Sequence, residues 1–476
     1  MAGSYGDDSP IAAFATTPGW SALTLVRCSG KGALELAAKV FSAPGKLLGA
    51  AGNTVIHGWI VSPAAVGPGE RVDDVLLSVF RAPKSYTGED SIDISCHGGS
   101  AAGRGVMAAL RAAGFRDALP GEFTFRAFMN GKLDLTRGEA VIELVSARTD
   151  RGRRNAAGRL SGVLENEINA IKQLLVEALS AAEVFLDYSE DEIGADPQEA
   201  AGRLPGRQLV QDTLARLQGL AASWQRERIY QEGILAVIAG RPNAGKSSLF
   251  NLLLKEERSI VTELPGTTRD WIEAWISVDG IPVRLADTAG LRESPDPIEK
   301  IGVERSRDLL ESAGLVLYLV DGETGLTAED RAFISGMKQA APQRPGLVLW
   351  NKADIALPPA QAEAEGFLRV SAKTGAGIAE LLSAITGAIT ERAGGEGPSV
   401  SAGADSAAVG TYRQKNLIDT AAASLEEALR LDDSEAPLDL IAPLLRDAVN
   451  SLGEITGEVS TADILEEMFS KFCVGK

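Results

Sequence analysis

The sequence predicts a multidomain chain with α/β and α parts. An α+β region comes first, then a helical region with a parallel-sheet domain inserted into it. Three observations predict this. First, residues 1–135 alternate short β-like runs, such as 75–80 and 92–95, with Gly/Pro turns. Second, from about 150, Leu160, Leu164, Ile168, Ile171, Leu175, Leu179, Ala182 and Leu186 recur at spacings of three and four, the pattern of one long amphipathic helix. Leu214, Leu217, Ala221 and Trp224 repeat it. Third, past 233 short apolar runs alternate with helical patterns. The expected strands are 234–239, 282–286, 315–320, 347–350 and 367–370, forming a parallel sheet with helices on both faces.

The expected boundaries are 1–135, 136–232, 233–393 and 394–476. The last segment opens with a Gly/Ser/Pro linker at 394–410. Leu440, Ile441, Leu444, Leu445, Ala448 and Leu452 then resume helical spacing, so both flanks contribute to the helical region. A length of 476 residues exceeds one core.

Hydrophobic residues at 45% and charged residues at 24% are ordinary for a globular protein. No apolar run reaches the roughly 18 residues of a membrane span. The start, Met-Ala-Gly-Ser-Tyr-Gly-Asp-Asp, has no basic and apolar leader, so secretion is not expected. Three cysteines, Cys28, Cys96 and Cys473, argue for a reducing cytoplasm. A net charge of −18 suits nucleic acid poorly. Residues 101–160, with 11 Lys/Arg including Lys132 against 6 Asp/Glu, are a local exception that a solvated face explains equally well.

Gly240-Arg241-Pro242-Asn243-Ala244-Gly245-Lys246-Ser247 follows an apolar run and opens a helical pattern, the setting of a phosphate-binding loop. Contacts are expected from Asn243, Ala244, Gly245, Lys246, Ser247 and Ser248. Lys246 reaches the β- and γ-phosphates and Ser247 ligates Mg2+. Asp287-Thr288-Ala289-Gly290 ends an expected strand. Asp287 suits Mg2+ through water, and the Gly290 N–H suits the γ-phosphate. Asn351-Lys352-Ala353-Asp354 supplies a carboxylate that accepts both N1–H and the 2-amino group of guanine, which selects GTP. Asn351 braces the loop, Lys352 lies along the base, and Ser371-Ala372-Lys373 suits the guanine oxygen. The run Thr262-Glu263-Leu264-Pro265-Gly266-Thr267-Thr268 offers two threonines, either of which can close on Mg2+.

The position that carries a water-orienting glutamine in Ras-like enzymes is Leu291. Glu293, Asp296 and Glu299 are candidates for that task, and a solvated helix start explains each equally well. The Asn243 amide oxygen suits a monovalent cation beside the phosphates, in place of an arginine finger.

Several runs resemble one family across essentially the whole chain. They are Gly-Arg-Pro-Asn-Ala-Gly-Lys-Ser-Ser-Leu, Pro-Gly-Thr-Thr-Arg-Asp, Asp-Thr-Ala-Gly-Leu-Arg-Glu, Tyr-Thr-Gly-Glu-Asp, His-Gly-Gly, Pro-Gly-Glu-Phe, Asn-Gly-Lys-Leu-Asp-Leu and the terminal Phe-Cys-Val-Gly-Lys. That family is the tRNA-modifying GTPases MnmE (TrmE). The resemblance implies K+ held by Asn243, Thr262, Leu264 and Thr267, Mg2+ held by Ser247 and Thr268, and Glu299 as the catalytic residue. It implies a Ras-like P-loop G domain and an N-terminal domain that dimerises and binds 5,10-methylene- or 5-formyl-tetrahydrofolate. The fold of that domain would be similar to aminomethyltransferases, with Arg27, Asp93, Lys132 and Lys476 at the folate. Two positions depart from the family. Asp93 stands where glutamate is usual, and Trp20-Ser21-Ala22 stands for Arg-Gly-Gly.

The function implied is GTP hydrolysis coupled to wobble-uridine C5 modification of tRNA. A homodimer would act in a heterotetramer with the FAD-binding protein MnmG, in the cytoplasm and off the membrane. The alternative is a regulatory P-loop GTPase switch in ribosome assembly. Cys473 is either a reacting group near the folate or a plain thiol. His57 and His97 lack partners at metal spacing and are expected to be structural, though His97 also suits the folate pocket's lining.

Overall fold

In this computed structural model the described residues are 5–17, 19–62, 69–187, 204–256, 273–287, 308–340, 345–392, 407–460 and 462–475. The chain divides into two compact units, Met1–Ile142 with Val449–Lys476, and Glu143–Ala448.

The first unit is built on a six-stranded sheet of β1 (Ile11–Phe14), β2 (Leu23–Ser29), β3 (Thr54–Val61), β4 (Arg71–Phe80), β5 (Ser91–His97) and β6 (Arg116–Asp117). The order is β3-β4-β5-β2-β1-β6, antiparallel except for β1 with β6. Alternation explains the faces. Val75, Leu77 and Val79 of β4 are buried while Leu76 between them is exposed. The buried face meets α1 (Ala33–Ala38), α2 (Pro44–Leu48) and α3 (Ser100–Ala113) through Leu34, Leu47, Val106 and Leu110. Helices α4 (Glu122–Met129) and α5 (Leu135–Ser146) follow.

The second unit contains α6 (Asp150–Leu160), α7 (Val163–Asp187) and α8 (Arg207–Glu232). The single long helix expected from Leu160 onward is broken. Gly162, at φ +95°, separates α6 from α7, so Leu160 closes the earlier helix. At the far end Leu186 is exposed. From Leu164 to Ala182 the expected stripe is buried.

A second sheet comprises β7 (Ile234–Gly240), β8 (Glu273–Val278), β9 (Ile281–Asp287), β10 (Leu315–Asp321), β11 (Gly346–Asn351) and β12 (Leu368–Arg369), in the order β12-β11-β10-β7-β9-β8. Its helices are α9 (Lys246–Glu256), α10 (Ala328–Ala340), α11 (Ala360–Ala364) and α12 (Ile378–Arg392). Apolar clusters cover both faces. The sheet is not wholly parallel, because β8 runs antiparallel to β9. Asp279 and Gly280 join them at φ +49° and +80°, the two left-handed residues of a tight hairpin turn.

After the linker, α13 (Tyr412–Asp433), α14 (Leu438–Thr456) and α15 (Ala462–Ser470) complete the chain. The described end of the expected linker is docked. Val409 is buried and its N–H donates to Ser223 Oγ at 3.0 Å. Thr411 and Gln414 then form a reciprocal capping box that starts α13.

Candidate functional site

Strand β7 ends in Gly240, and the loop to Gly245 delivers the chain to the N-terminus of α9. Asn243 lies at φ +64° and Gly245 at φ +95°, so the backbone curls with N–H groups inward. Asparagine is the non-glycine residue best suited to that conformation. Lys246 lies across the loop, its Nζ donating to the carbonyls of Arg241 (2.8 Å) and Gly240 (3.0 Å). Ser247 Oγ donates to Asp287 Oδ2 at 2.7 Å, which brings the first helical turn to the end of β9. Asn243, Ser247 and Ser248 are exposed, whereas Ala244 and Lys246 are buried. Hydroxyl and carboxylate oxygens are the hard donors that Mg2+ prefers, so Ser247 and Asp287 fit that ion.

Asn351, at the end of β11, is 2% exposed and links two loops. Its Nδ2 donates to the Ala244 carbonyl at 2.7 Å, and its Oδ1 accepts from the Ala372 N–H at 3.0 Å. Gly245 is needed beneath it, because a Cβ there would collide with the Asn351 amide. Asn351→Ala leaves both backbone groups without these partners. We expect a loss of about 2–4 kcal/mol at roughly 1–3 kcal/mol per orphaned group, read as a lower midpoint for thermal unfolding of this domain. An unchanged midpoint would show that the bridge holds nothing.

Ser371 Oγ donates to Asp354 Oδ1 at 2.6 Å and holds that carboxyl below the usual carboxylate range. Asp354 is exposed and stays ionised near neutral pH, open to a partner on its other oxygen. Lys352, at φ +62°, is fixed by Asp321 Oδ2 at 2.8 Å and Glu323 Oε2 at 3.2 Å; the Asp321 bond leads in raising its pKa. The sequence reading missed Asp321. The available signal was an aspartate closing an apolar run one strand before Asn351. Ala353 and Lys373 flank this end of the site.

In the first unit Arg27 and Asp93 face each other in register on β2 and β5. They form a two-bond pair, Nε–Oδ1 at 3.0 Å and Nη2–Oδ2 at 3.2 Å. The Arg27 guanidinium also lies 5.8 Å from the Tyr86 ring centre and 6.0 Å from that of Phe123. Lys132 Nζ donates to the Pro83 carbonyl at 2.9 Å, at the start of the loop carrying Tyr86. Sequence reasoning missed both aromatic residues. His97 bonds Asp73 through Nδ1 at 2.7 Å, which raises its pKa, while His57 Nε2 lies 2.7 Å from Asp74. Among the described residues no group of three or more His, Cys, Asp or Glu side chains is placed to hold a metal.

The basic excess at 101–160 is largely consumed internally. Arg111 pairs with Asp117, Arg116 and Arg126 with Glu122, and Arg159 with Glu143 and Glu227. Arg148 and Arg151 lie 4.0 Å from the ring centres of Trp275 and Tyr230.

The family profile described as "MnmE helical domain" matches residues 135–473, and "GTP-binding protein TrmE N-terminus" matches residues 10–132. The chain belongs to the MnmE family of tRNA modification GTPases. It is 42% identical to "tRNA modification GTPase MnmE" of Treponema denticola, covering 100% of this chain and 99% of that one. The protein of the same name from Thermus thermophilus is 41% identical, over 98% of this chain and 99% of that one. The one from Carboxydothermus hydrogenoformans is 39% identical, over 98% and 100%. Among solved structures, "Crystal structure of Era in complex with MgGDPNP and nucleotides 1506-1542 of 16S ribosomal RNA" aligns with 32% of this chain and 55% of that chain, at 26% identity and a TM-score of 0.26.

The MnmE helical profile brackets the second sheet, as expected for a nucleotide domain inserted between helical flanks. Like its relatives, the chain is a GTPase with a P-loop domain. Among the described residues no helix is long and apolar enough to cross a membrane. Thr262, Glu263, Leu264, Pro265, Gly266, Thr267, Thr268, Thr288, Ala289, Gly290, Glu299 and Lys476 lie outside the described residues.

Proposed function

We propose that this MnmE-family chain hydrolyses GTP in a potassium-dependent way. Hydrolysis is coupled to C5 modification of the tRNA wobble uridine, adding an aminomethyl or carboxymethylaminomethyl group. The observation that carries the nucleotide half is Asn351. One buried amide ties the phosphate loop at Ala244 to the base loop at Ala372, so the two ends of a nucleotide site share one frame. Within that frame Lys246 is poised at the phosphate end and Asp354 is open at the base end. Ser247, with Thr268, holds Mg2+, and Asn243, with Thr262, Leu264 and Thr267, holds K+. Glu299 positions the attacking water.

In the first unit the Arg27–Asp93 pair beside Tyr86 and Phe123 fits a pterin, which has a flat ring and a hydrogen-bonding amide edge. Lys132 and Lys476 suit the glutamyl carboxylate. When bound, a tetrahydrofolate would supply the one-carbon unit. MnmG brings FAD, since this sequence has no Gly-x-Gly-x-x-Gly loop. A net charge of −18, with the basic stretch internally paired, leaves much of the tRNA surface to that partner. The domain boundaries read from sequence are kept, with a cytoplasmic homodimer formed through the N-terminal domain.

Mass spectrometry of wobble uridines after deletion of the gene tests this function. Unchanged uridines would reject it. Equilibrium dialysis against 5-formyltetrahydrofolate separates it from a ribosome-assembly switch, which has no use for folate. Removing residues 473–476 is expected to weaken folate binding and abolish modification while GTP hydrolysis continues. Parallel loss of both activities would make the tail merely structural. A dimer mass is expected from light scattering at micromolar concentration, and a monomer mass would count against dimerisation.

A further inference from the structure

Helix α15 packs on α4, and the chain beyond it runs back along the first unit. Phe469 is fully buried and meets the Phe125 ring edge-on at 5.5 Å. Phe125 in turn meets Tyr5 at 5.3 Å, and Phe472 lies 5.1 Å from Phe469. The Tyr5 hydroxyl donates to the Pro120 carbonyl at 2.7 Å, which fixes the start of this ladder.

The ladder ends where the tail begins. The Gly121 N–H donates to the Cys473 carbonyl at 3.3 Å. Gly121 sits at φ +66°, and a Cβ there would come within 2.7 Å of both the Phe469 carbonyl and Phe472 Cβ. Two residues past Cys473, Gly475 is buried at φ +93°, and a Cβ there would collide with the Phe14 carbonyl. The tail backbone is therefore gripped at two points while the Cys473 side chain is exposed.

The grip adjoins the charged pair. Phe123, two residues after Gly121, carries Arg27 against its ring, and Phe14 pairs with Val26, the neighbour of Arg27. We propose that Tyr5, Phe125, Gly121 and Phe14 are positioning residues that hold the tail of their own chain beside Arg27, so that each N-terminal unit completes its site in cis. The placement stands on this packing alone, and its bearing on one-carbon chemistry rests on the folate reading. A tail ordered beforehand avoids the entropy cost of ordering it at each binding event.

A methanethiosulfonate nitroxide distinguishes the states. Cys28 and Cys96 are buried, and burial raises both thiol pKa values, that of Cys96 to about 11, so the label goes to Cys473. In the full chain the label's spectrum should be strongly immobilised. Gly475→Ala, beyond every helix, and Gly121→Ala should each shift it to fast motion while GTP hydrolysis is unchanged. Equal mobility in parent and variants would overturn the grip. An immobilised parent and a mobile Gly475→Ala that bind 5-formyltetrahydrofolate equally would uphold the grip and sink the tail's folate role. Mixing Arg27→Ala chains with chains lacking 473–476 should restore no modification. Recovery would show that the tail acts across subunits and would overturn the cis assignment.

Discussion

Replacing KCl by NaCl at equal ionic strength is expected to slow GTP hydrolysis by roughly 10³-fold or more, the lower bound of what a finger charge contributes. The reasoning starts from absences in the sequence. Leu291 cannot orient water, and Arg269 has no finger role by resemblance. The charge that develops in the transition state still has to be offset. Asn243 is the loop residue with a neutral oxygen for a cation, and its side chain is exposed on the curled loop. K+ fits a cage of amide and carbonyl oxygens, whereas Na+ is smaller and leaves it loose. Closure of Thr262–Thr267 over the ion would then order Thr268 at Mg2+. Asn243→Ala should remove the salt difference. Because Asn243 sits at φ +64°, alanine also strains the loop, so Asn243→Gly is the cleaner variant. Glu299→Ala should abolish hydrolysis with GTP still bound. Equal parent rates in the two salts would reject the cation mechanism and leave the GTPase untouched.

Much of the second sheet was legible, for a physical reason. Its inner strands are buried on both faces and therefore read as unbroken apolar runs, as in 234–239 and 315–320. Edge strand β8 was not legible that way. It is half exposed, and its signal was the Asp279-Gly280 turn rather than an apolar run. Helical spacing located α7 but not its start, because Leu160 keeps the period while Gly162 breaks the backbone. In the nucleotide site, one residue at a time could be assigned from local motifs. The tie between Asn351, Ala244 and Ala372 joins segments 107 and 21 residues apart, which no local pattern encodes. The same holds for Arg27. Its pairing with Asp93 follows from strand register, and its aromatic surroundings come from the loop at Tyr86 and helix α4. The basic count at 101–160 misled in the opposite sense, since a tally of charges does not reveal that Glu122, Glu143 and Glu227 absorb them.

Asp354→Asn should turn the nucleotide preference from GTP toward xanthosine triphosphate, by roughly a hundredfold in relative affinity. The carboxylate accepts from N1–H and the 2-amino group of guanine, and both bonds are charge-assisted. An amide in its place offers a donor to the 2-amino group and loses one acceptor, whereas xanthine presents an oxygen at C2 that the amide can serve. The setting keeps the test interpretable. Ser371 donates to Oδ1 at 2.6 Å, a bond the asparagine oxygen can keep, so the side chain remains aimed by the same hydroxyl. Lys352 is held independently by Asp321 and Glu323, so the stem of the base loop does not depend on Asp354. Ser371 also lowers the Asp354 pKa, so the carboxylate keeps its charge as pH falls toward the ordinary carboxylate range. GTP affinity of the parent should therefore hold from neutral pH down through that range as far as this group is concerned. It should fall only as pH drops through the depressed folded value. Competition binding of GTP, ATP and xanthosine triphosphate to parent and variant measures the switch. An Asp354→Asn protein that still prefers GTP over xanthosine triphosphate would remove Asp354 from the base-reading role.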